Sequence, residues 1–581
     1  MTTVIVIGGG VAGMSAAHEL VERGYTVRVF ERQRLPGGKA RSVSVDGTGT
    51  DGRLDLPGEH GFRFFPRFYR HIIDTMERIP VEGGRSAADN LVEASRDEIT
   101  LDGKAPIVMS AWFPRSIADI RVMLSDRVSI QELGLSAEDE SVFAARVWQL
   151  MTSCRDRAIQ EYERLPWATF LGADQRTEAF RRFLVGGLTR TLIAATPNEA
   201  STEVGGTVLT ELFYAMGRPG TSADRLLCGP TNDVWLTPWL AWLRSRGVDY
   251  HIDAEVTAID CRDRRIAGVT VREGGVETTV SGDYYVAAVP VERMSPLLTD
   301  AMRSADPILA GIDILAGDVR WMNGIQFYLS ERVPIIAGHV TYIETPWALT
   351  SISQAQFWTD YDLAGYGDGA VRDILSVDIS DWDKPGVHTI HQPARTCTPD
   401  QIAAEVWEQL KHALNREGDV ILNDDLRRGW YLDRDISRGD TVEPGDVHVD
   451  EIDVDAEPLL VNKAGRWNLR PTAHTGIPNL FLAADYVRTN TSLATMEAAN
   501  EAARRAVNGI LDATDSTESA CRIWPVYQPW VLAPLRWYDA RRYARGLPWD
   551  PRPPFPIRIV HAVVLAVGPL VIRLRFRLRR R

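Results

Sequence analysis

Val4-Ile5-Val6-Ile7-Gly8-Gly9-Gly10-Val11-Ala12-Gly13 is a short apolar strand that runs directly into three glycines. Ala12 to Arg23 continues with the composition of a helix, and Tyr25-Thr26-Val27-Arg28-Val29-Phe30 reads as a second strand. This order predicts a βαβ unit. In it Gly8 permits a tight turn, Gly10 lets the backbone approach a pyrophosphate at the helix N-terminus formed by Val11 and Ala12, and Gly13 allows the helix to pack on the strand. Glu31 ends the second strand 23 residues after Gly8, placed to accept hydrogen bonds from an adenosine ribose and to disfavour a 2′-phosphate. Glycine-rich turns are common, but strand, helix, strand and acid together predict a dinucleotide site.

The next segment is Glu31-Arg32-Gln33-Arg34-Leu35-Pro36-Gly37-Gly38-Lys39-Ala40-Arg41-Ser42. Its glycines allow close backbone approach, and Lys39 and Arg41 could offset phosphate charge or form a solvated basic turn. Far downstream, Asn479-Leu480-Phe481-Leu482-Ala483-Ala484-Asp485 is an apolar strand ending in an acid, followed by an alanine-rich helix around Met496 to Leu511. By its residues alone Asp485 could also be a helix cap or a solvent-facing strand end.

These segments resemble the flavin-containing amine oxidase and phytoene desaturase superfamily. The resemblance implies FAD, with Arg32, Gly38, Lys39 and Arg41 around the diphosphate and Asp485 on its ribityl or pyrophosphate portion. It also implies that the helix starting near Met496 faces the flavin pyrimidine and that Val256 lends its backbone to the adenine. A helix N-terminus at that place stabilises an anionic reduced flavin. Ala498 stands where the family often has glycine, a departure that bears on how closely the helix approaches.

Gly58-Glu59-His60-Gly61-Phe62-Arg63-Phe64-Phe65-Pro66 resembles a Gly-x-His segment of plant-type phytoene and ζ-carotene desaturases and of hydroxysqualene dehydroxylases, which implies a place beside the isoalloxazine. Weaker similarity runs through Arg190 to Pro197 and Trp347 to Thr350. Glu59 and His60 have two readings: a general acid or base beside the flavin, or a hydrogen-bonded pair that orients the loop. Arg63, Arg67 and Arg70 read equally well as surface charges and are assigned no role. Amine oxidases of this superfamily often carry a lysine in a strand of the substrate domain. The five lysines here, at 39, 104, 384, 411 and 463, miss the comparable stretch from Trp321 to Tyr328.

Composition is that of an ordinary globular protein, 45% hydrophobic and 25% charged. The five cysteines lack zinc or disulfide spacing, so no metal site is expected. No basic and apolar leader precedes Val4, and a cytoplasmic setting is expected. The net charge of -13 hides twelve arginines against two aspartates from Arg536 to Arg581, leaving -23 for the rest. Within that end, Ile559 to Ile572 is a nearly apolar run of 14 residues, short of the roughly 20 that span a bilayer. With the flanking arginines and tryptophans it suits peripheral contact of residues 559–581 with the cytoplasmic membrane face. The alternatives are a helix docked on the protein or a nucleic-acid partner, and no stacking platform supports the latter.

The expected fold class is α/β. A discontinuous Rossmann-like FAD domain (1–98, 229–297 and 460–513) joins a mixed α+β substrate domain (99–228 and 298–459) and an aromatic, basic extension (514–581). No nucleophile elbow, Walker loop or repeat appears. The resemblance implies an oxidoreductase moving a hydride between flavin N5 and a long apolar isoprenoid, carotenoid or squalene-like, with the electron acceptor left open. The alternatives are a soluble amine or amino-acid oxidase and a flavin-dependent double-bond isomerase.

Overall fold

The computed structural model describes residues 2–101, 106–110, 134–187, 195–216, 222, 224–359, 361–433 and 455–564. Most of the Arg190 to Pro197 similarity, and residues 565–581 of the basic tail, lie outside them.

The βαβ unit forms as expected, with strands Thr3–Ile7 and Thr26–Phe30 and helix Val11–Val21 between them. Their all-parallel sheet has five strands, in the order Asp249–His251, Thr26–Phe30, Thr3–Ile7, Tyr284–Ala287, Leu480–Leu482. Three distant parts of the chain therefore share one sheet. Both faces are covered, which is why these strands read as continuous apolar runs. Helix Met496–Ala513 packs on helix Val11–Val21, and Asn500 Nδ2 donates to Ser15 Oγ at 2.7 Å.

A second, mixed sheet has seven strands, in the order Arg427–Leu432, Asn323–Leu329, Asp373–Ile379, Leu349–Ser353, Val340–Tyr342, Arg96–Thr100, Ile107–Ser110. Its central strands are buried on both faces. Alternation divides them: Ile325, Phe327, Leu375 and Val377 pack against helix Pro399–Leu414, while Tyr328, Ile352 and Ile374 meet Leu56 and Phe62. The segment after the first glycine unit is thus packed on one face of the seven-stranded sheet. Helices Ala137–Thr152, Arg155–Gln160 and Thr202–Met216 form a separate helical layer.

Part of the extension's aromatic content is turned inward. Trp524 and Trp549 are used by the protein: the Trp524 ring meets His71 edge-on while its backbone N–H donates to His71 Nε2 at 2.9 Å, and Trp549 Nε1 donates to Thr152 Oγ1 at 3.2 Å. Helix Ala533–Tyr543 is locked to the helical layer by Asp539. Its carboxylate accepts from the Cys154 N–H at 2.8 Å and from Arg157 Nε at 3.1 Å, and both side chains are buried. Among the described residues no helix is long and apolar enough to cross a membrane, and no cluster of residues could hold a metal.

Replacing Asp539 by Ala leaves the buried Arg157 guanidinium with the half-exposed Glu161 as its remaining carboxylate partner among the described residues and should lower unfolding free energy by about 3 kcal/mol. Replacing both partners, Arg157→Met with Asp539→Leu, should recover most of that loss in denaturant titrations.

Candidate active site

Gly8 has φ +96°, and a Cβ there would lie 2.7 Å from the Ala288 carbonyl oxygen. A Cβ on Gly13 would lie 1.9 Å from the Gly8 carbonyl oxygen, so the helix can meet the strand only through glycine. Gly10 faces the second glycine loop, its missing Cβ 3.7 Å from Gly38 Cα. No side chain caps helix Val11–Val21, and no acid sits in its first turn. Uncapped N–H groups at Val11, Ala12 and Gly13, with open backbone beside them, fit a diphosphate.

Glu31 is buried, and burial raises its pKa. Its carboxylate accepts from the Gly9 N–H at 2.6 Å and the Gln33 N–H at 2.8 Å, leaving a lone pair on each oxygen for sugar hydroxyls. The Glu31 carbonyl accepts from the Ala254 N–H at 2.8 Å, which brings the strand carrying Val256 against the end of the βαβ unit. These features fit the adenosine half of FAD.

The basic residues of the second glycine loop are arranged differently from the expectation. Arg41 donates to Glu457 Oε2 and to the Gly38 carbonyl, at 2.8 and 2.9 Å, and Arg32 reaches Glu457 Oε1 at 3.1 Å. Lys39 pairs with Glu292 at 2.8 Å and donates to the Pro458 carbonyl. Burial pushes the Lys39 pKa down, and Glu292 and Asp485 more than offset this, leaving it raised. Protein carboxylates from far along the chain therefore meet this positive charge. Asp485 sits within electrostatic range of Lys39, and its carbonyl accepts from Arg470 Nη2 at 2.8 Å.

Met496 opens the late helix, whose N-cap Thr495 accepts from the Ala498 N–H at 3.2 Å. Ala498 is fully buried, so its methyl fills the space that glycine would leave. Glu497 binds the N–H groups of Arg70, His71 and Ile72 and pairs with His71 Nδ1 at 2.7 Å. Because His71 Nε2 accepts from Trp524, its Nδ1 carries the proton given to Glu497.

Glu59 and His60 sit where the loop meets the seven-stranded sheet, and they play different parts. Both Glu59 oxygens accept from the Thr231 hydroxyl at 3.0 Å, and Oε1 also accepts from the Thr231 N–H at 3.0 Å. Burial raises the Glu59 pKa to about 7. His60 Nδ1 lies 2.5 Å from Asp433 Oδ2, and the Asn323 amide donates to the same oxygen at 3.3 Å. Gly61 and Gly324 touch backbone to backbone, and a Cβ on Gly61 would lie 2.6 Å from Asp378 Oδ1. Burial raises Asp378 to about 7, although Arg63 and His60 oppose it.

Arg63 is not a surface charge. Its guanidinium donates to the carbonyls of Gly61 and Lys39, the former at 2.6 Å, and it faces Glu59, Asp378 and Asp433. Thr231, Asp378, Asp433 and Glu457 were missed by sequence reasoning. Only Asp378 left a local sign, a lone charge inside the otherwise uncharged Ile374-Leu375-Ser376-Val377-Asp378-Ile379. The strand Asn323–Leu329 turns Gln326 toward this loop, its Oε1 accepting from the Glu59 N–H at 3.1 Å, while the Asn323 amide reaches Asp433 and Asp455. Of the described lysines only Lys39 belongs to the site; Lys384, Lys411 and Lys463 pair with acids elsewhere.

A dinucleotide cradle joined to a buried wall of acids defines an FAD-dependent oxidoreductase. Residues 6–79 match the model of an NAD(P)-binding Rossmann-like domain, and residues 237–511 match that of flavin-containing amine oxidoreductases. The ζ-carotene desaturase of Synechocystis is 22% identical over 87% of this chain and 97% of its own. The 15-cis-phytoene desaturase of Synechococcus elongatus is 24% identical over 85% and 93%. Among solved structures, an oxidoreductase from Methanosarcina mazei aligns with TM-score 0.55 at 13% identity, covering 88% of this chain and 100% of its own. Cyclohexylamine oxidase from Brevibacterium oxydans aligns with TM-score 0.55 at 15% identity, covering 88% and 99%. These matches make the chain similar to flavin-containing amine oxidoreductases and to carotene and phytoene desaturases over most of its length.

Gly13→Val should abolish FAD retention, read as loss of the flavin absorption from purified protein. For Glu59, a folded pKa of about 7 against an ordinary 4.5 stabilises the fold fully below pH 4.5. That stability is lost as pH rises through 7, by up to about 3 kcal/mol. Glu59→Gln should therefore melt with the parent near pH 5 and above it near pH 8; parallel melting curves across that range would refute the assignment.

Proposed function

We propose that this enzyme dehydrogenates a long apolar isoprenoid, carotenoid or squalene-like. The observation that carries this reading is near full-length similarity to carotene desaturases combined with a substrate-sheet strand, Asn323–Leu329, that has no lysine. Bound FAD supplies a two-electron acceptor for a hydride leaving a substrate carbon. The cradle that would hold it comprises Gly8, Gly10, Val11, Ala12, Gly13, Glu31, Gly38, Val256, Asp485 and Met496, with Arg32, Lys39 and Arg41 steadying its walls.

His60 takes the proton that leaves the neighbouring carbon. Asp433 orients the ring through Nδ1 and stabilises the imidazolium, so Nε2 is the nitrogen that exchanges. Glu59 orients the loop through Thr231. The acids around His60 are kept from water by the sheet behind them.

Residues 1–98, 229–297 and 460–513 form the cofactor domain in this reading, and 99–228 and 298–459 the substrate domain. The enzyme works at the cytoplasmic membrane face, where such a substrate resides. Residues 555–564 are helical and expose Phe555, Ile559, Val560 and Val563, and six arginines follow from 573 to 581.

The test incubates FAD-loaded full-length protein anaerobically with detergent-dispersed phytoene or ζ-carotene and a quinone. The expected product has two fewer hydrogens per new double bond and absorbs at longer wavelength. His60→Gln should lower kcat at least about 100-fold with FAD still bound. Flavin bleaching by amines with peroxide release in air would establish an amine oxidase instead. A product of unchanged mass would establish an isomerase.

A further inference from the structure

The extension holds a groove that the chemistry above does not use. It has a volume of about 520 Å³ and runs between helix Ala137–Thr152, helix Ala533–Tyr543 and the helical residues 555–564. Trp148, Tyr538 and Trp549 form its aromatic walls, and Arg552, Arg558 and His561 line it with nitrogen.

Its two carboxylates are already neutralised. Asp539 is bound by Arg157, and Asp550 accepts from the Tyr538 hydroxyl at 3.0 Å and the Arg552 N–H at 2.9 Å, with Arg542 at 3.6 Å. The guanidinium groups of Arg552 and Arg558 are exposed and make no hydrogen bond or ion pair among the described residues. The Nε2 of His561 is likewise without a partner. Two cations without counter-ions at the edge of an aromatic groove call for an anion.

Beside the groove, Phe555, Ile559 and Val563 are 71%, 47% and 54% exposed. Their spacing of four residues puts them on one helical stripe. An anion site next to an exposed apolar stripe matches one molecule that is anionic at one end and apolar at the other. We propose that this groove binds the phosphodiester headgroup of an anionic phospholipid, with the stripe from Phe555 to Val563 lying among its acyl chains. This rests on the membrane reading above and adds to it a defined site. Because Arg157 and Asp539 lock the extension to the helical layer, a lipid held here fixes the orientation of the whole enzyme on the bilayer.

FAD-loaded full-length protein is sedimented with vesicles of phosphatidylcholine alone and with vesicles that also contain phosphatidylglycerol. Arg552→Gln with Arg558→Gln should weaken binding to the anionic vesicles about thirty-fold, the effect expected of two basic residues at a charged surface. Flavin absorption and thermal unfolding should not move, since both side chains are exposed. Replacing all six arginines from 573 to 581 by glutamine should leave a preference for anionic vesicles that the double substitution then removes. If the double variant binds as tightly as the parent, the groove assignment is overturned while the membrane reading stands on the tail. If the parent binds neither vesicle, both fall. Glycerol phosphate that binds at micromolar concentration without vesicles, and is lost in the double variant, would make the ligand a soluble phosphate ester and overturn the proposal.

Discussion

The carbonyl oxygen of Gly8 stands 1.9 Å from where a side chain on residue 13 would begin, and the architecture of the cofactor domain depends on that contact. It sets helix Val11–Val21 down on strand Thr3–Ile7 with its N-terminus over the strand end, which leaves the first N–H groups of the helix uncapped. Gly9 carries a related constraint, since a Cβ there would strike the Tyr250 hydroxyl at 2.0 Å, and that hydroxyl donates to the Gly9 carbonyl at 2.7 Å. The turn is therefore held rigidly from outside. A preformed anion site of this kind loses little entropy when its ligand binds.

From that turn the chain is closed by charge as much as by apolar packing. Arg504, buried in the late helix, reaches Asp74, Thr75 and the His71 carbonyl, and Glu497 gathers three successive N–H groups at the start of helix His71–Met76. Burial alone would raise the Glu497 pKa; its hydrogen bonds with His71 and the backbone hold it below the ordinary value. These buried ions are satisfied on nearly every lone pair, the condition under which burying charge is tolerable. They tie the beginning of the chain to its final fifth, so the late helix stays aimed at the cradle.

The wall against the seven-stranded sheet works by the opposite principle. Glu59 and Asp378 are each raised to about 7 and Asp455 to about 6, with burial the first cause in all three. Few cations stand near enough to hold them ionised: Arg63 is shared between Glu59 and Asp378, and Asp455 has His60. Groups that exchange protons near neutrality, set beside a histidine that one aspartate orients, are suited to moving a proton where water is kept out. The apolar face of the same sheet, packed on helix Pro399–Leu414, gives this wall its stiffness.

The βαβ unit, the glycines at 8, 10 and 13, the acid at 31, and the late strand and helix were all legible in sequence, because each rests on local periodicity or on a backbone conformation that few residues adopt. The partners of Lys39, Arg41, Glu59 and His60 were not. Glu292, Glu457, Thr231 and Asp433 approach from positions roughly 170 to 420 residues away in sequence, and an isolated acid in a loop has no pattern that names its cation. Arg63 passed for surface charge for the same reason. The extension shows the limit most plainly: its arginines and tryptophans have the composition of an interfacial segment, yet Asp539 and Trp549 are bound to the helical layer while Trp530, Trp537 and the stripe from Phe555 stay exposed. Sequence alone determined which segments are strand, helix and glycine turn, since those follow from the chain's own short-range sterics. Tertiary structure decided which charges meet, because that depends on where two sheets bring remote residues together and exclude water from between them.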